Sequence, residues 1–120
     1  MGYDAYISDY ETDNHISVDS VEYSRGEFYR EYDYGHIFRM ANLSINIFCI
    51  DRLFRLMGDD GVFIICDKTG KESVPILESA LKKLTDNEVE KHREDENVKE
   101  ILLSLIAFSK LCHRGAWTFI

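Results

Sequence analysis

The residues best suited to chemistry crowd into the first third of the chain. Residues 1 to 36 hold nine of the 22 acidic residues, only two of the 14 basic ones and all seven tyrosines, so they carry −7 of the chain's formal −8. Carboxylates interleaved with aromatic rings offer charge and rigid contact area to a basic surface. Glu22, Tyr23, Glu27, Tyr29, Glu31, Tyr32, Asp33 and Tyr34 form the densest such run and are the expected partner-binding residues. Neutralising phosphate needs the opposite sign, so direct binding of nucleic acid is not expected, whereas a basic groove that ordinarily holds nucleic acid is a fitting partner. The competing reading is that the rings fill the inner face of a sheet and the acids only keep the chain soluble, since β-prone aromatics alternating with polar residues also build a half-buried hairpin.

Other constellations are weaker. Gly70-Lys71 suggests a phosphate loop, but Ile65 stands where that motif needs another glycine and Glu72 stands where it needs Ser or Thr. His15, His36, His92 and His113 are scattered with no neighbour at metal-ligand spacing, so no metal and no cofactor are expected. Cys49, Cys66 and Cys112 lie inside apolar segments and read as reduced core thiols. No serine or cysteine has the surroundings of a nucleophile, and carboxylate groups such as Asp59-Asp60 and Glu94-Asp95-Glu96 sit in polar stretches that keep them solvated. A non-enzymatic protein is expected. Asn42, Asn46 and Lys71 are the alternative, as the surroundings of a small-ligand site or a small enzyme's centre.

The elements that must position these residues follow from hydrophobic period and caps. Tyr3–Ser8 and Ile16–Tyr23 read as a hairpin around a Thr-Asp-Asn turn, and Ser24–His36 as an irregular loop. Leu43, Ile45 and Ile47 alternate with polar residues as a strand does, after which Ile50, Leu53, Phe54 and Met57 follow helical spacing up to Gly58. Val62–Cys66, apolar without alternation, reads as a central strand. Thr69 and Glu72 form a capping box, and Ser73 and Pro75 place the start of a helix over 73–84. The charged stretch Thr85–Asn97 reads as a solvated connection or a helix extension and as the piece most prone to disorder, Asn97 as the cap of a helix over 98–112, and Ala116–Ile120 as an apolar tail that packs on the sheet or on a second copy of the chain.

These elements give one domain over 1–120 of the α+β class: a small, mainly antiparallel sheet with two longer helices on one face and one short helix. No apolar run is long enough for a bilayer span and the first residues lack a secretory pattern, so a cytoplasmic protein is expected.

Three strings carry a resemblance: MGYDAYI at the start, the alternating LSINI at 43–47, and KTGKESVPIL at 68–77. With them the chain resembles a family of small phage and prophage proteins that share an M-x-Y-D-x-Y strand and a T-G-x-E-S-x-P-x-L entry into a helix. The resemblance covers about two thirds of the chain and implies a shared fold and a mobile-element origin, while the acidic, tyrosine-rich segment departs from it. Charge and resemblance together lead to the expectation of an anti-defence (anti-CRISPR-like) inhibitor acting in the host cell on a basic, nucleic-acid-handling protein. An immunity protein against a nuclease toxin is the alternative.

Overall fold

The computed structural model describes residues 2–86 and 90–120. Strand β1 (Gly2–Tyr10) is followed by a 3-10 turn at Val18–Ser20, then β2 (Glu27–Asp33), β3 (His36–Asn46), helix α1 (Ile47–Met57), a second 3-10 turn at Gly61–Ile65, α2 (Gly70–Thr85), α3 (Asp95–Leu111) and β4 (Thr118–Phe119). The strands form one antiparallel sheet in the order β2-β3-β1-β4. This is the expected α+β class. Alternation decides which face is covered: Ala5 and Ile7 of β1 and Ala41, Leu43 and Ile45 of β3 are buried, while their neighbours point to the other side.

The helices complete the core on that one face. Helix α3 is the central element, with Val98, Ile101, Leu102, Leu105, Phe108 and Leu111 fully buried, and it lies between β3 and α2. Its entry is pinned by Arg52, whose guanidinium reaches Asp95 at 2.8 Å and the Glu90 carbonyl at 2.6 Å. Helix α1 starts where Asn46 accepts the Cys49 N–H and ends at Gly58. Helix α2 has the capping box read from Thr69 and Glu72, with both reciprocal bonds at 3.1 Å. It starts at Gly70, three residues before Ser73, which instead bonds back to the Thr69 carbonyl at 2.7 Å. Helix α3 likewise begins at Asp95, and Asn97 lies inside it, donating to Glu94. Part of the expected disordered connection falls on 87–89, outside the described residues.

Four sequence expectations are corrected. Val62–Cys66 is no strand: Val62 and Ile65 are buried while Ile64 is exposed, the three-residue repeat of a 3-10 turn, and only Cys66 bridges to Trp117. Ile16–Tyr23 does not pair with β1, because β3 matches all nine residues of β1 on one side and β4 takes the other. The supposed irregular loop is β2, joined to β3 by a two-residue turn in which Tyr34 and Gly35 take φ of 47° and 82°, the positive pair of a type I′ hairpin. Cys66, expected in the core, is exposed, whereas Cys49 and Cys112 are buried. Burial pushes the Cys112 thiol up to about 12, helped by the nearby Asp9 carboxylate, which leaves it unreactive.

The tail takes the first of its two expected places. Trp117 is fully buried and donates its indole N–H to Ser109 Oγ at 2.9 Å, and β4 pairs with β1. Phe119 meets Phe63, which also touches Tyr3 and Phe54, so the tail caps one end of the core with aromatic contacts.

Candidate functional site

The face of the sheet opposite the helices is uncovered, and strand register says what lines it. Asp4, Tyr6, Ser8 and Tyr10 come from β1; His36, Phe38, Met40, Asn42 and Ser44 from β3; Glu27, Tyr29, Glu31 and Asp33 from β2. Among the described residues the strands put four carboxylates on this face and no lysine or arginine. Glu31 stands opposite Phe38, and Tyr29 opposite Met40. Tyr10 lies against Phe38 with ring centroids 3.9 Å apart. A shallow depression of about 210 Å³ opens between Tyr6, Tyr29, Met40 and Thr118. This is a flat acidic surface with rings set into it, built by a pleat that sends every second residue to the same side.

Of the eight expected partner-binding residues, Glu27, Tyr29, Glu31 and Asp33 are gathered here. Tyr32 lies on the other side of β2 at 77% exposed, and Tyr34 projects from the turn at 96%. Glu22 is exposed in the segment before β2, and Tyr23 beside it rests on Phe108 of the core helix with centroids 4.7 Å apart. All seven tyrosines are at least 37% exposed, so the reading in which they fill the core is corrected. The sheet also adds Asp4, Tyr6 and Tyr10, which the run at 22–34 did not include; the alternation of Asp4, Tyr6, Ser8 and Tyr10 with Ala5, Ile7 and Asp9 was the signal for them.

The alternative residues are not gathered in one place. Asn42 is on the open face, Asn46 caps α1, and Lys71 belongs to the first turn of α2 beyond the core helix. The first amides of α2 already have acceptors: Gly70 N–H bonds the Gly115 carbonyl and Lys71 N–H the His113 carbonyl, both at 2.8 Å.

A second constellation was invisible in the sequence. Asp9, at the end of β1, points to the covered side, where His15 Nε2 lies 2.6 Å from its Oδ2. His113, which follows α3, places its ring 4.3 Å from that of His15. One carboxylate oxygen and two imidazole nitrogens of these residues lie within 4.8 Å of one another. The Arg114 backbone N–H donates to the same Oδ2 at 3.0 Å. Burial, with His15 alongside, lowers the affinity of His113 for a proton, against the pull of Asp9. The expectation that the histidines stand apart is therefore corrected for this pair, which the fold brings together from opposite ends of the chain.

Beneath the sheet, Arg39 is almost fully buried and bonds Glu11 at 2.7 Å and the Leu111 carbonyl at 3.1 Å, while Arg30, directly opposite it on β2, holds the other oxygen of Glu11. Burial alone would raise Glu11, but the two guanidinium groups outweigh it and hold the carboxyl below its usual range. No family model, curated protein or solved structure matched the chain when it was compared with each. No helix among the described residues is long and apolar enough to cross a membrane.

Proposed function

We propose that this chain is a non-enzymatic, mobile-element protein that works in the cytoplasm of a host cell. It binds and blocks a basic, nucleic-acid-handling host protein, acting as an anti-defence inhibitor. The observation that carries this reading is the uncovered sheet face, with Asp4, Glu27, Glu31 and Asp33, three tyrosines and no opposing lysine or arginine among the described residues. A face without its own counter-charges repels nucleic acid and is attracted to whatever binds nucleic acid. Tyr6, Tyr10 and Tyr29 supply contact area with little rotamer entropy to lose. The phage-type resemblance of MGYDAYI and KTGKESVPIL supports the mobile-element origin. The same face would also serve an immunity protein against a nuclease toxin, and the nature of the captured partner separates the two.

The test is capture from nuclease-treated host lysate, followed by kinetics on the purified pair. The expected partner is basic, and nucleic acid displaces this chain from it. Changing Glu27, Glu31 and Asp33 to lysine should slow association by about tenfold or more and flatten its salt dependence. Changing Tyr10 and Tyr29 to alanine should mainly speed release, with the melting temperature little changed. Wild-type rates in both folded variants would remove this face as the contact surface.

A further inference from the structure

We infer that Asp9, His15 and His113 form a binding site for a divalent metal ion of the zinc class. Two imidazoles and one carboxylate are a ligand set that zinc accepts, with ligand atoms about 2.0–2.2 Å from the ion. Around such an ion neighbouring ligand atoms stand about 3–3.5 Å apart. The three groups here lie within 4.8 Å of one another, so side-chain shifts of about 1 Å close the site. They come from three separate segments, and each is anchored. The His15 side chain is fully covered, the Asp9 side chain is 7% exposed and held by the Arg114 amide, and the backbone of His113 is bonded to α2.

The hydrogen bonds define what binding changes. His15 Nδ1 accepts the Thr12 backbone N–H at 2.9 Å, so the ring carries its proton on Nε2 and donates it to Asp9. An ion taking Nε2 moves that proton to Nδ1, where Thr12 Oγ1, 3.1 Å away, accepts it in place of the backbone contact. The Arg114 guanidinium is 3.9 Å from Asp9 Oδ1 and half exposed, so it does not close off the Asp9 carboxylate from an ion. His113 also lines a groove of about 430 Å³ with Asn14, Ile16, Lys71 and Lys110, so one of the three ligands is reached from solvent.

The test uses tag-free full-length protein with Cys66→Ser, which removes the exposed thiol as a competing ligand. Calorimetric titration with Zn²⁺ should give one ion per chain, and Co²⁺ should give the visible absorption of a four- or five-coordinate ion. His113→Gln and Asp9→Asn, each checked for native circular dichroism, should weaken Zn²⁺ binding by about a hundredfold or more, since loss of even an outer partner costs 10–100-fold. His36→Gln and His92→Gln should leave it unchanged. Absence of stoichiometric binding overturns the inference, as does a folded His113→Gln protein that retains wild-type affinity.

Discussion

Replacing Arg39 by methionine should unlock the covered side of the sheet. Arg39 is 3% exposed, and its guanidinium serves two acceptors, the Glu11 carboxylate and the Leu111 carbonyl at the end of the core helix. Removing one partner of a buried pair costs about 3–5 kcal/mol, because the other charge is left desolvated. Glu11 keeps Arg30 and is slightly open to water, which places the loss at the lower end, about 3 kcal/mol. For a chain of this size that corresponds to a melting temperature lower by about 12 °C. Thermal and urea unfolding followed by circular dichroism measure it. Arg30→Met is the companion, since Arg30 is half exposed and its loss should cost less than about 1 kcal/mol. An Arg39→Met protein melting within about 3 °C of wild type would show that the buried pair contributes little, and would refute the argument.

Trp117→Phe should cost about 2–3 kcal/mol in urea unfolding, because it leaves the buried Ser109 hydroxyl without the indole N–H and opens a small void. Tyr34→Asn should raise the melting temperature by about 2–4 °C, since asparagine tolerates the left-handed φ of 47° better than tyrosine, while leaving the uncovered sheet face untouched. Burial pulls the Asp95 carboxyl upward, but Arg52 and the His92 amide outweigh it and hold it below its usual range. Its folded pKa therefore lies below the unfolded one, so the stabilisation is complete above the ordinary aspartate pKa near 4 and is lost as pH falls through the lower folded value. The stability gap between wild type and Asp95→Asn should be constant near neutrality and shrink as pH drops below about 4, and a gap that widened instead would contradict the assignment.

Local chemistry was legible in the sequence and distant pairing was not. The capping box at Thr69 and Glu72 acts within three residues, so its residues alone announced α2. The alternation of Leu43 and Ile45 with Ser44 and Asn46 showed the covered face of β3 for the same reason. Val62–Cys66 is ambiguous in the sequence because five apolar residues fit a buried strand and a buried 3-10 turn equally well. β2 is hard to read from the sequence because Tyr34-Gly35 is an uncommon way to write a type I′ turn, and because a strand exposed on both sides carries almost no hydrophobic period. The acidic character of the site was readable from residues 1 to 36, but its gathering on one face required the register. Asp9, His15 and His113 left no trace in spacing, since only the packing of the segment after α3 against the loop after β1 brings them together.

The bonds between Asp4 and Ile120, two backbone contacts of 2.9 Å, also bear on how the molecule forms. They close the long loop between residues 4 and 120, and β1, an interior strand, keeps one edge unpaired until residues 118–120 arrive. Loop closure on that scale is slow relative to helix formation, so the helices and the β2-β3 hairpin should assemble first and the docking of β4 should come late. During synthesis the nascent chain would expose the edge of β1 until residues 118–120 emerge. That interval is when a second copy could add a strand there and aggregation would begin.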